Sequence, residues 1–281
     1  SHLAILVQMS MTLTPLALLL LSGPGLLLLA AVTGWLVQSD RLSRRLHLLA
    51  AIGNLVAALA AGFAVFYWGM FESGAWLPGV RADALSVLLL GMTSLLALVI
   101  MRYSTAYLEG DPRYRVFLSR LSVTIACAQM LVLSANLQSL VLFWILTSMA
   151  LHSLLVFYPQ RRGAVVAARK KFVFSRLSDA ALIAAAILLY RLFGTSEISG
   201  IVAGLSMLEG ADVPLQLELA AVSLALAAVL KSAQFPFHSW LAEVMEAPTP
   251  VSALLHAGII NAGPFLIVRF AHVVAAAELA N

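Results

Sequence analysis

Apolar residues run along this chain in long, nearly unbroken blocks, and the polar residues collect between them. A helix of roughly 17–25 apolar residues can cross the hydrocarbon layer of a bilayer. Eight such blocks can be marked, at about 13–37, 48–70, 84–101, 117–135, 138–157, 172–193, 215–235 and 250–276. Alternation with a period of two is almost absent, while Leu and Ala runs are punctuated by Gly, Pro and polar clusters. The pattern therefore predicts an all-α, polytopic membrane helix bundle of about eight transmembrane helices. The first block is too long, and its continuation too polytopic, for a cleaved signal peptide, so it is read as a span. The longest interval, about 193–216, carries Ile198, Ile201, Val202, Leu205 and Leu208 near helical spacing, which predicts an amphipathic helix outside the bilayer. A single transmembrane domain over 1–281 is expected, with two spans and a loop over 1–79 and the remaining spans over about 80–275.

Composition removes the soluble alternative. The chain is 62% hydrophobic and 11% charged, with mean hydropathy +0.98, whereas a soluble domain carries about 25% charged residues. Charge also orients the spans. Twelve of the 17 basic residues fall on alternate connections: Arg41, Arg44 and Arg45; Arg102, Arg113, Arg115 and Arg120; Arg161, Arg162, Arg169, Lys170 and Lys171. Basic loops stay cytoplasmic, so the connections 38–47, 102–116 and 158–171 are expected inside and the N-terminus outside. The sequence pI of about 9.5 reports this topology rather than a nucleic-acid footprint, because the basic residues sit at span margins. Cys127 is the single cysteine, and no zinc-type Cys/His spacing, glycine-rich phosphate loop or exposed serine elbow is present. Enzyme chemistry and a cofactor are not expected in this chain.

The candidate chemistry lies in the few polar residues inside spans. Lys231 stands in the seventh block with Pro236 five residues on. An ammonium near the bilayer centre costs at least about 2.5 kcal/mol, so such groups face a bundle interior or a wet cavity. Proline cannot donate its backbone bond, which predicts a broken seventh helix beside the charge. The other reading of Lys231 is a residue near a helix end, snorkelling to the headgroups. In the sixth block Arg176 and Asp179 are three residues apart and share a helix face, as an ion pair would. A buried carboxylate there must be paired, hydrated or protonated. Lys170 and Lys171 lie closer to the cytoplasm, as ion-path residues or as positive-inside anchors. His238 and His256 bracket the break after Lys231 and can pass protons near neutral pH; each reads equally as a packing residue. Glu243 and Glu246 lead protons in or are solvated loop charges, and His152 in the fifth block is a weaker candidate.

The segment KSAQFPFHSWLAEVMEAPTPVSALLHAGIINAGPFLIVR, Lys231 to Arg269, resembles the signature of the antiporter-like, proton-translocating membrane subunits shared by respiratory complex I and the multisubunit sodium/proton antiporters. The likeness extends through DALSVLLLGMTSL from Asp83 and KKFVFSRLSD, Lys170 to Asp179, and so covers about 80–275. It implies a bundle of about fourteen spans built from inverted repeats, of which this chain holds the N-terminal part. It also implies a buried chain of lysines, acids and histidines that conducts protons. By position Lys231 is similar to the central seventh-helix lysine, His256 to the eighth-helix relay, and Lys170 to the sixth-helix lysine, with Lys171 adjacent. Where the family's fifth helix reads Trp-Glu, this chain reads Trp144-Ile145. The usual acidic partner of the seventh-helix lysine is missing, and Asp179 is the substitute.

With that departure the chain most resembles the membrane subunit of DAB inorganic-carbon accumulation complexes. The resemblance implies a cation-conducting, energy-coupling subunit, carrying protons or sodium ions in a bacterial inner membrane. Its implied partner is a large zinc protein of carbonic-anhydrase type on the cytoplasmic side, which holds the zinc and hydrates carbon dioxide to bicarbonate. Two alternatives stand beside it: a subunit of a sodium/proton antiporter or of a respiratory or hydrogenase complex, and a membrane anchor without ion conduction.

Overall fold

The computed structural model describes residues 2–73, 79–208, 213–244 and 247–277, with side chains from residue 15 onward except at 242, 243 and 257. The chain divides into two compact units, Ser1–Ala135 and Asn136–Asn281.

The first unit contains α1 (His2–Leu36), α2 (Asp40–Trp68), a hairpin of β1 (Phe71–Ser73) and β2 (Val80–Ala82), α3 (Ala84–Tyr107) and α4 (Tyr114–Val132). Polar residues between the apolar blocks become caps. The Ser39 side chain accepts from Leu42 N, and Asp83 Oδ1 accepts from Ser86 N at 2.9 Å, satisfying donors that the helix itself leaves open. The strands pair antiparallel with Phe71 opposite Ala82, an element that the missing period-two signal did not predict. Phe71, Val80 and Ala82 pack with Leu20, Ala58, Ala61, Leu90 and Leu133, so the hairpin fills one end of this bundle. Above them Arg81 pairs with Glu72 at 3.3 Å and Asp83 at 2.9 Å. At the other end Arg115 binds Asp40 at 3.1 Å and donates to the Val37 carbonyl at 2.6 Å, tying the α1–α2 turn to the start of α4.

The second unit contains α5 (Leu137–Leu155), α6 (Arg162–Phe193), α7 (Ile198–Ser206), α8 (Leu215–Lys231), α9 (Ser239–Glu243), α10 (Thr249–Leu254), a π-helical turn (Leu255–Ile259), α11 (Ala262–Arg269) and α12 (Ala271–Ala276). The expected amphipathic helix forms as α7, with Ile198, Ile201 and Leu205 buried.

α2 buries small residues and turns large apolar ones outward, the reverse of a water-facing helix. In α2 the buried face holds Ala50, Ala51, Ala57, Ala58, Ala61 and Ala64, while Phe63 and Phe66 are exposed, Phe66 at 83%. Small interior residues let backbones approach closely, and lipid covers the outward side chains. Among the described residues six helices are long and apolar enough to cross a membrane: α2 to α6 and the Pro15–Leu36 part of α1. Of the remaining two apolar blocks, the seventh breaks beside its charge as expected, and the eighth differs from the expectation of a continuous span. With 17 residues, α8 is about 26 Å long and stops at Lys231. The eighth block is segmented into α10, the π turn, α11 and α12, because Pro248 and Pro250 preset its start and Pro264, lacking an N–H, cannot donate to the Ile260 carbonyl. Two boundaries also move. α2 begins at Asp40 rather than near 48, and α6 at Arg162 rather than near 172, so the basic stretch before Phe172 is helix and not loop.

Candidate functional site: two buried lysines on one serine

Because α6 begins early, Lys170 and Lys171 are helical residues about 100° apart on its surface. Lys170 faces outward, and Lys171 is 4% exposed. The buried stripe continues from Lys171 through Ser175, Ser178, Asp179 and Leu182, a 3–4 spacing that packs against α5 and α8. The inner stripe of α5 runs through Trp144, Thr147, Ser148 and Leu151. α8 brings Lys231, 6% exposed, to the same place at its last residue.

Ser148 joins the two lysines. Lys171 Nζ donates to the Ser148 carbonyl at 3.0 Å, and Lys231 Nζ donates to the Ser148 hydroxyl and, at 3.0 Å, to the Trp144 carbonyl. The hydroxyl in turn donates back to the Trp144 carbonyl at 3.2 Å. Lys231 Nζ stands 4.3 Å from the Trp144 ring centroid, a buried cation–π contact. The ring is fixed by its own hydrogen bond: Trp144 Nε1 donates to Ser178 Oγ at 3.3 Å, and Ser178 Oγ donates to the Ala227 carbonyl at 2.8 Å, linking α5, α6 and α8. Ile145, where an acid was missing in sequence, is half-buried. A neutral serine and a carbonyl thus hold the ammonium.

Asp179 is buried and lies within electrostatic reach of Lys231, Arg176 and Lys171. Its direct contact is Arg176, at 2.7 Å between Nη2 and Oδ2. That contact lacks hydrogen-bond alignment, and both carboxylate oxygens are buried without a hydrogen-bond donor among the described residues. Arg176 is 30% exposed at its side chain and covers the Phe172 ring at 5.1 Å.

His152, one helical turn beyond Ser148, is half-buried against Phe172 at 5.1 Å and lies within electrostatic reach of Lys171. Its Nδ1 is buried without a hydrogen-bond partner among the described residues. His238 and His256 are not gathered here. His238 is exposed and stacked on Phe235 at 5.8 Å, and His256 is exposed on the π turn. Glu246 lies outside the described residues, as does the side chain of Glu243.

The break after Lys231 has its own construction. Ser232 N still bonds to the Ala228 carbonyl, and then Ala233 adopts φ +52°, which turns the chain out of the helix. α11 seats against this end. A Cβ on Gly263 would stand 1.7 Å from Ser232 Oγ and 2.5 Å from the Ala228 carbonyl oxygen, so only glycine fits.

Sequence reading missed Ser148 and Ser178. The polar pair Thr147-Ser148, in the middle of an apolar block and one turn after Trp144, was the available signal.

The family described as NADH:quinone oxidoreductase/Mrp antiporter, TM, matches residues 134–281, more than half of the chain. The chain belongs to this family. A second description, NADH-ubiquinone oxidoreductase (complex I), chain 5 N-terminus, matches residues 76–118 of this antiporter-type chain. It is 38% identical over 265 residues to the "Probable inorganic carbon transporter subunit DabB" of Hydrogenovibrio crunogenus, covering 92% of this chain and 50% of that one. It is 40% identical over 272 residues to the "Probable inorganic carbon transporter subunit DabB2" of Halothiobacillus neapolitanus, covering 92% and 49%. It is 37% identical over 199 residues to NAD(P)H-quinone oxidoreductase chain 5 of Synechocystis, covering 68% and 28%. The chain therefore spans about half the length of the inorganic-carbon relatives it matches. A chain of the membrane-bound sulfane sulfur reductase, an archaeal respiratory membrane complex, superposes with a TM-score of 0.78 at 16% identity, covering 94% of this chain and 54% of that one. That likeness shows the antiporter-like membrane fold.

Proposed function

We propose that this chain is the ion-conducting part of an energy-coupling membrane subunit, that it passes protons through Lys231, Ser148 and Lys171, and that it serves an inorganic-carbon accumulation complex. The observation that carries the proposal is the shared serine: two buried lysines meet on one residue, with no carboxylate hydrogen-bonded to either among the described residues. Like charges this close repel strongly in a low-dielectric interior, so the pair favours one proton over two, and a proton arriving at one lysine expels the other's. Asp179, within reach of both, biases which lysine holds it. His152 continues the path from Lys171 toward the α5–α6 turn. Water links the stretches that direct contacts do not span. Lys170, outside this line, acts as an anchor.

Likeness to the inorganic-carbon subunits over 92% of the chain supports the carbon-accumulating role, and Ile145 in place of the acid separates the chain from the complex I pattern. On this reading the protein lies in a bacterial inner membrane with its N-terminus outside, and a zinc protein of carbonic-anhydrase type docks on the cytoplasmic face and performs the hydration. Likeness to the quinone oxidoreductase chain 5 favours the second reading, a proton-translocating subunit of a respiratory or antiporter complex. Affinity purification of the full-length protein from its native membrane separates the two. Recovery of a large zinc-containing soluble subunit is expected; recovery of redox or other antiporter-type subunits instead would replace the first reading by the second.

A further inference from the structure

The first unit holds a set of polar side chains that the lysine site does not use. His47 and Asn54 on α2, Ser119, Ser122 and Gln129 on α4, and Ser94 on α3 are all 0% exposed. His47 Nδ1 lies 2.8 Å from the Ser43 carbonyl, which can only accept. That nitrogen therefore carries the hydrogen, and Nε2 is left as a bare acceptor. His47 Nε2 has no partner, and neither do Ser119 Oγ, Ser122 Oγ, Asn54 Oδ1, Asn54 Nδ2 or Gln129 Oε1, among the described residues. Gln129 does use its amide nitrogen, donating to Ser94 Oγ at 2.9 Å.

These open valences are ordered along the unit. Ser119, Ser122 and Gln129 follow at three and seven residues on the buried face of α4 and span about 15 Å. His47 and Asn54 are seven residues, or about 10 Å, apart on the buried face of α2. α1 closes the seam with glycines on one face. A Cβ on Gly34 would come within 3.2 Å of both His47 Nε2 and Ser119 Oγ, and one on Gly23 within 2.5 Å of Asn54 Oδ1. The backbone of α1 thus lies directly on the polar groups and shuts lipid out. Left dry, six unpaired polar atoms would together forfeit a large part of a domain's stability. Buried water making two to four hydrogen bonds at such groups is the usual remedy.

We infer that the first unit binds a file of internal water along His47, Ser119, Ser122, Asn54 and Gln129, and that this file is a second proton path, built without a lysine. The histidine can take and release a proton, and the hydroxyls and amides hold the waters that carry it.

Two measurements on the full-length protein in its complex test this. Water-resolving cryo-electron microscopy is expected to show ordered density within hydrogen-bonding distance of His47 Nε2 and of the Asn54 amide, a readout independent of which ion the lysine site carries. Proton uptake into proteoliposomes is read in the Lys231→Ala background, where the lysine path is closed, and this residual uptake is expected to fall at least ten-fold in His47→Leu and about three-fold in Ser122→Ala, which removes one hydroxyl and leaves the packing in place. A dry seam overturns the inference, and so does residual uptake left unchanged by both Ser122→Ala and His47→Leu. If His47→Leu fails to assemble, Ser122→Ala alone decides.

Discussion

In Asn136–Asn281 the buried polar groups include full charges, and each lysine ammonium is held by protein atoms, Lys171 on the Ser148 carbonyl and Lys231 on the Ser148 hydroxyl and Trp144 carbonyl, with Trp144 itself fixed through Ser178 and Asp179 matched by the charge of Arg176. In Ser1–Ala135 the buried groups of the seam are neutral, and six of their polar atoms are open. The difference follows from cost. An unpaired buried charge is far more expensive than an unpaired amide or hydroxyl, so a lysine must be held by protein atoms, whereas a hydroxyl can be left to water. Charge is placed where three helices supply carbonyls and a serine; neutral polarity is placed where a glycine-faced helix can seal it.

The largest expected effect is at Lys231. Lys231→Ala should abolish inorganic-carbon-dependent growth support while the protein still inserts and retains its partner; near-normal growth would favour a passive anchor. Asp179→Asn comes next. Breaking a buried charge pair costs about 3–5 kcal/mol; the Arg176 side chain is 30% exposed, which lowers that figure, but its Nε and Nη2 are buried, so a loss of stability near the lower end of the range is expected while conduction falls sharply. A double-mutant cycle on conduction apportions it. Stronger coupling of Asp179 to Lys231 than to Arg176 is expected if the carboxylate biases the lysine pair, and the reverse would confine Asp179 to a structural ion pair. Ser148→Ala removes one hydrogen bond to a charged group, about 1.5–3 kcal/mol. It should lower proton flux about ten-fold, with Ser148→Thr restoring most of it. Gly263→Ala drives a methyl into Ser232 Oγ and the Ala228 carbonyl and should cost about 1–3 kcal/mol of stability, read as a lower thermal midpoint of the detergent-solubilised protein. The smallest effect on conduction is expected for His256→Ala, whose side chain is exposed.

Much of the fold could be read from the apolar blocks, since length and period alone mark a spanning helix. The amphipathic α7 followed from its 3–4 spacing in the same way. The hairpin Phe71–Ala82 was not legible, because three-residue strands leave no period to detect. Nor was the start of α6. Basic residues argued for a loop before Phe172, but a charged first turn is compatible with helix, and the helix carries Lys171 inward. At the site, Lys231 and Asp179 stood out as charges within apolar runs. Ser148 did not, because a serine inside a span most often satisfies itself on its own helix, as Ser153 and Ser223 do with the carbonyls of Ala150 and Leu219. Its role comes from what α6 and α8 bring to it, which no local pattern encodes.

The central claim is that the lysine pair on Ser148 carries the ion. The most direct measurement is proton uptake driven by a membrane potential into proteoliposomes holding the full-length protein with its partner, compared between the native protein and Lys231→Ala. Uptake in the variant should drop to the residual flux of the first unit's water file, which His47→Leu would then remove. Uptake in Lys231→Ala equal to that of the native protein would contradict the claim.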